Sequence, residues 1–522
     1  MKGPQRSCKS ETAPAQPGLL GTILPHDVES CHRLVRRIGE RRTASAQGSD
    51  TVPATLETMP PAASSGGLLR VLGTGFGLAV TVGGTVGLGI LRAPGEVAVQ
   101  LPDARLIVGV WALGGLYALL GALSVAELGT LAGRSGGFYV FARRALGLYP
   151  GFVVGWSDWL AACGSAAATA LVLGEYAGRL VPSLADHAVL IALSALLGFG
   201  LLQGRGLRWG SRTQGLTSTV KALALLGLVV CCFAVAGPRV SPGPDKPATP
   251  AGVALLAALV VALQAVVYTF DGWYAPLYFA GEVRQPGRAI PRAMIGGVLL
   301  VTAIYLLVNL ALLAVVPLPQ LAGHPLAVGA AAEAVFGSGG ETVTGVLAIL
   351  ILLSVLNACT LTAPRVLFAM SADGFFVRRA AAVNRGGTPW VALWASIAAA
   401  AGFVLSGTFK QVLAVLAFFM VINYASAFIA VFVLRRREPG AARPYRAWGY
   451  PWSTSLVLAG SAAFLMAAVA SDTRNSLWAL ALLALSYPVY RLLRPARPDD
   501  GTDPPNADRT EPFPEVTGVS KR

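Results

Sequence analysis

Val82-Gly-Gly-Thr-Val-Gly-Leu-Gly-Ile90 interrupts the first long apolar run of the chain at its middle, with four glycines in nine residues. The sixth apolar run is interrupted in the same way by Tyr268-Thr-Phe-Asp-Gly-Trp273, whereas the other long runs are largely continuous. A break in a membrane helix frees backbone N–H and C=O groups at a depth without water, so it persists only where those groups line a protected cavity or bind something. Breaks at matching places in two halves of a chain point to a binding site near the bilayer midplane.

The composition puts these runs in a membrane. Residues are 54% hydrophobic and 13% charged, against roughly 25% charged in a soluble domain. With roughly 20 residues needed per crossing, about twelve spans are expected, near 71 to 91, 104 to 128, 150 to 174, 186 to 203, 215 to 236, 251 to 281, 293 to 316, 341 to 363, 389 to 406, 411 to 434, 455 to 471 and 475 to 493. The fold class read from this pattern is an all-α integral membrane protein.

A net charge of +15 raises the question of nucleic acid, and the placement of the charges answers it. With both termini cytoplasmic, eighteen arginines fall in inward loops, among them Arg134, Arg143, Arg144, Arg365 and Arg435, while seven basic residues fall in outward loops. That asymmetry follows the positive-inside rule and speaks against a nucleic-acid role. Richness in Ala, Gly and Arg fits a bacterial inner (plasma) membrane. Residues 1–66 and 495–522 are polar and Pro-rich without apolar periodicity, which reads as disordered cytoplasmic tails; Met59, before Pro60-Pro61, offers an alternative start. No cysteine pair has CxxC spacing and no His/Cys/Asp/Glu cluster has ligand spacing, so neither a metal site nor a cofactor is expected. No GxxxxGK loop and no nucleophile-plus-base pair occurs, so catalysis is not expected and transport energy must come from a gradient or from exchange.

Several stretches coincide with one family. Gly87-Leu-Gly-Ile-Leu-Arg-Ala-Pro-Gly95, Ala126-Glu-Leu-Gly129, Ser135-Gly-Gly-Phe-Tyr139, Phe270-Asp-Gly-Trp273, Gly281-Glu-Val-Arg-Gln-Pro286 and Ile290-Pro-Arg292 resemble motifs of the amino acid–polyamine–organocation permeases. Arg365 to Gly374, Thr388-Pro389 and Arg443 to Pro451 resemble later loops of the same family, and the order is kept from about 70 to 490. The resemblance implies a five-plus-five inverted-repeat core with broken first and sixth helices, 67–236 and 251–435, followed by accessory spans in 453–494, working by alternating access.

At the first break a restarting half-helix would present unpaired N–H groups and a positive dipole end to a substrate carboxylate. Gly87, Leu88 and Gly89 would donate, with Thr85 beside them; the alternative is that these glycines serve only close helix packing. Family members more often have a small residue where this chain has Leu88, which reshapes the pocket. Opposite, Tyr268, Thr269 and Phe270 resemble the unwound segment that receives the substrate amino group, and Tyr268 and Phe270 are candidate aromatic gates or ordinary packing. Asp271 is a candidate for the substrate ammonium, for a coupling proton, or for a helix cap. Ionisable groups inside a span are functional candidates. Lys221 matches a family lysine implied to stand where sodium sits in related carriers, between spans one and eight; a snorkelling lysine is the alternative. Glu127 and Glu282 are expected to meet arginines at the cytoplasmic ends, and Asp158 and Glu175 have no assignable partner.

The function expected is secondary transport of amino acids, as permease or exchanger, with a proton as one candidate co-substrate. Polyamine or amine transport is the close alternative, and a transporter-like amino acid receptor a further one. In eukaryotic light-chain members of the family a cysteine between spans three and four ties the carrier to a glycoprotein; Gly174 to His187 has none, so no disulfide-linked heavy chain is expected.

Overall fold

A computed structural model describes residues 67–236, 251–407, 409–471 and 473–493; the two expected tails lie outside them. The elements are α1 (Thr74–Thr85), α2 (Gly89–Gln100), α3 (Ala104–Ala132), α4 (Phe138–Leu146), α5 (Leu148–Leu180), α6 (Ala188–Gly204), α7 (Leu207–Val235), α8 (Gly252–Thr269), α9 (Pro286–Val315), α10 (Ala327–Phe336), α11 (Gly340–Ala372), α12 (Trp390–Leu405), α13 (Phe409–Arg437), α14 (Trp452–Ser471) and α15 (Thr473–Leu493). Among the described residues nine helices are long and apolar enough to cross a bilayer, and α1 with α2, bent by 48° at their break, makes a tenth. The spans expected at 389 to 406 and 455 to 471 appear as shorter apolar helices. The chain is a multi-pass membrane protein.

Both breaks are present. α1 stops at Thr85 and α2 starts at Gly89. α8 stops at Thr269, and the chain then turns through Asp271 and Gly272 into a short 3-10 helix, Ala275–Phe279. α5 runs along α11, α3 along α9, and α1 lies against both α7 and α9, so the first break is enclosed by protein and not lipid.

The face carrying the arginine-rich loops is closed by ion pairs. Glu282 and Arg365, both fully buried, meet through two contacts of 3.2 Å, and the Ser135 hydroxyl joins them, donating to Glu282 Oε1 at 3.4 Å and accepting from Gly281 N–H at 3.1 Å. Arg365, counted above with the inward loops, thus lies inside α11. Asp373 accepts from Arg134 at 3.0 Å and Tyr139 at 2.9 Å and faces Arg143 at 2.8 Å. Glu127 receives Arg435, Arg443 and the Ala447 N–H. For the pairs buried on both sides, Glu282 with Arg365 and Glu127 with Arg443, removing one partner leaves an uncompensated charge at a cost of about 3–5 kcal/mol, whereas the Asp373 contacts reach more exposed arginines and hold less.

Candidate functional site

The two breaks cross backbone against backbone. Gly272 adopts φ 102°, and a Cβ there would stand 2.7 Å from Gly84 C and 2.9 Å from Thr85 N. A Cβ on Gly89 would stand 2.9 Å from the Thr269 side chain and 3.2 Å from its Cα. Only glycine gives both the left-handed dihedral and the close approach at Gly272. The Tyr305 hydroxyl on α9 lies between the breaks, 2.9 Å from Thr85 O and 3.0 Å from Thr269 O.

At the end of α1 three of the freed carbonyls, those of Gly83, Thr85 and Val86, have donors. The Lys221 ammonium donates to Gly83 O at 2.8 Å and Val86 O at 2.6 Å, a cation at the negative end of a helix dipole. Lys221 is 0% exposed, so it does not snorkel. Because α7 begins at Leu207, Lys221 lies deeper than the expected span boundary implied, about 21 Å along the axis. Its hydrogen bonds go to the first break alone; among the described residues none reaches α11. A polar file beneath it ties α7 to α1 and also to α11: Ser218 donates to Ala79 O at 2.7 Å, and Asn357 on α11 donates to Gln214 Oε1 at 2.7 Å.

The start of α2 is different. Among the described residues, the N–H groups of Gly87, Leu88, Gly89 and Ile90 have no acceptor, and the Thr85 hydroxyl is buried without a partner. The break therefore engages the carbonyls of Gly83, Thr85 and Val86 while the N–H groups that follow are left free, the arrangement that suits an anion.

A cavity of about 150 Å³ lies beside the crossing, lined by Gly84, Tyr268, Asp271, Gly272, Asp158 and Cys359 among others. Tyr268, 43% exposed, presents its ring to this space. Phe270 does not; it is buried against Tyr305 and Trp111 at ring separations of 4.9 and 6.3 Å. Thr269 is likewise buried, its hydroxyl returned to Ala265 O at 2.8 Å. Gly87 sits next to the cavity across Val355, whose Cγ2 would be 3.9 Å from an added Cβ. Asp271 accepts from the Tyr424 hydroxyl. Glu175 is exposed on α5.

The profile of the amino acid permease family matches residues 76–487. The chain belongs to that family. It is also 30% identical over 434 residues to the serine/threonine exchanger SteT of Bacillus subtilis (strain 168), covering 81% of this chain and 97% of the relative. Solute carrier family 7 member 13 of Mus musculus is 27% identical, covering 73% of this chain and 80% of itself. The b(0,+)-type amino acid transporter 1 of Homo sapiens is 27% identical, covering 51% and 55%. Family and relatives are transporters, so the cavity between the breaks belongs to a permease or exchanger of amino acids.

Sequence reasoning missed Tyr305 and, although it placed Gly272 in the second break, gave that glycine no role of its own. A lone tyrosine in an apolar span must find a partner for its hydroxyl, which was the available signal for Tyr305. Tyr305→Phe removes the donor shared by two carbonyls while keeping the ring, and membrane hydrogen bonds of this kind are worth about 0.6–1.7 kcal/mol. A melt of the purified variant should show a midpoint lower by a few degrees with uptake reduced but measurable; an unchanged midpoint would remove Tyr305 from the crossing.

Proposed function

We propose that this permease is a secondary active transporter that moves amino acids across the plasma membrane by alternating access, without enzymatic activity and with both termini cytoplasmic. The carrying observation is the first break: the carbonyls of Gly83, Thr85 and Val86 are engaged while the N–H groups of Gly87 to Ile90 are free, and the cavity is bordered by Gly84 just before them and by Val355, which packs on Gly87. A substrate carboxylate fills that need with charge-assisted bonds. Gly87, Leu88 and Gly89 are then the carboxylate site, with Thr85 at its edge, Tyr268 as the aromatic cover and Asp271 as the acceptor for the ammonium. Thr269 and Phe270 support the crossing from behind. Lys221 occupies the place of a coupling cation, which makes transport sodium-independent and leaves a proton gradient or exchange as the energy source.

The proposed core is two inverted repeats, 67–236 and 251–435, with accessory helices in 453–494 and no disulfide-linked partner. Substrate size is bounded by the cavity. A void of about 150 Å³ accepts a ligand the size of benzene, and the Bacillus relative is named for serine and threonine, so small amino acids fit best.

Masking the carboxylate tests the reading. In proteoliposomes of purified protein, an amino acid amide should compete for uptake about tenfold or more less well than the parent amino acid, the equivalent of about 1.4 kcal/mol. Equal competition would overturn the carboxylate site and bring amine transport forward.

A further inference from the structure

The cavity between the breaks holds two carboxylates, Asp158 of α5 and Asp271 of the second break, and among the described residues none that lines it is lysine, arginine or histidine. Lys221 does not offset them, because it is committed to the carbonyls of Gly83 and Val86 and does not line the cavity. Asp271 has the Tyr424 hydroxyl. Asp158 is half satisfied: Oδ1 accepts from the Tyr278 hydroxyl at 2.8 Å, while Oδ2 has no partner among the described residues, in a residue only 4% exposed.

A buried carboxylate oxygen without a donor is costly, and native interiors keep such atoms only where something else supplies the bond. Inside a membrane protein an ionisable residue of this kind marks a substrate or ion path. A neutral amino acid brings one ammonium and one carboxylate. With its carboxylate on the free N–H groups of the first break, its single ammonium compensates one of the two cavity carboxylates and leaves the other facing it across a low-dielectric space. A substrate with a second, side-chain ammonium compensates both. The rings of Phe138, Tyr268 and Tyr274 also border the cavity, and aromatic faces attract cations.

We infer that Asp158 is a specificity-determining residue that receives a side-chain ammonium, so that this permease prefers small amino acids with an amine in the side chain over neutral ones of the same size. The inference rests on reading the cavity as the amino acid site.

L-2,4-diaminobutyrate and L-homoserine separate the two cases, since they have nearly the same shape and differ in an ammonium against a hydroxyl at the end of the side chain. Binding of both to the purified, reconstituted chain should favour diaminobutyrate by about tenfold or more. Asp158→Asn, checked for folding by size-exclusion profile and melt, should bring the ratio near one, and Asp158→Glu should retain it. Asp158→Ser replaces the Asn variant should that one fail to fold. A wild-type ratio near one, with homoserine bound, overturns the inference and leaves the transporter reading intact. A preference that survives in the Asn or Ser variant also overturns it, by moving the cation to Asp271. Failure of every amino acid to bind overturns the transporter reading together with the inference.

Discussion

Lys221→Ala should all but abolish uptake, by about a hundredfold or about 2.7 kcal/mol in transition-state terms, while wild-type uptake should be the same in sodium as in choline buffer. The argument is local. The ammonium is the donor for two carbonyls at the end of α1, and carbonyls left unpaired in a buried site cost about 1–3 kcal/mol each. Without that donor the end of α1 has reason to move, and the free N–H groups beyond it move too. Lys221→Met separates packing from charge, because it keeps most of the stem and removes the ammonium. Initial rates in proteoliposomes, normalised to inserted protein, should be lost in both variants. A sodium requirement in the wild type, or normal uptake by either variant, would end the proposal that the lysine stands in for a cation.

The breaks were legible because glycine and aspartate are conspicuous inside apolar runs, and a membrane interior gives such residues few innocent uses. What each broken segment does was less legible. Once a helix stops, its 3.6-residue periodicity no longer tells which way a side chain points, so Tyr268 and Phe270 read alike although one faces the cavity and the other packs on Trp111 and Tyr305. Depth was misjudged where a polar first turn hid a helix start: α7 opens at Leu207 through Arg208, Ser211 and Arg212, which resemble a loop in composition. Arg365 was counted in a loop because the span was ended at 363, whereas α11 runs on to Ala372 and Glu282 holds the arginine inside it. Glu127 and Glu282 did meet arginines, as expected from their motifs. The partner of Asp158 could not be read, since Tyr278 lies 120 residues away and no local spacing encodes that meeting.

Two neighbouring glycines should respond to the same substitution in opposite ways, and this tests the crossing most severely. At Gly272 an alanine must hold φ 102° and place its Cβ 2.7 Å from the Gly84 backbone; backbone strain of that type costs about 1–3 kcal/mol, and rigid backbone cannot yield to the clash. At Gly84 an added Cβ meets Gly272 O at 3.6 Å and the Ala275 side chain at 3.9 Å, ordinary contacts that require no movement, and alanine is the better helix former by about 0.8–1.0 kcal/mol. Gly84 nevertheless lines the cavity, so its methyl group takes space from the ligand. Gly272→Ala should therefore lower the melting midpoint and abolish uptake together, because it pries the breaks apart. Gly84→Ala should melt at or above the wild-type temperature and still transport poorly, with bulkier amino acids affected most. The paired melts and uptake assays read both expectations at once. If Gly272→Ala melted and transported like the wild type, the two backbones would not cross as described, and the free donors of the first break would lose the neighbour that shapes their cavity.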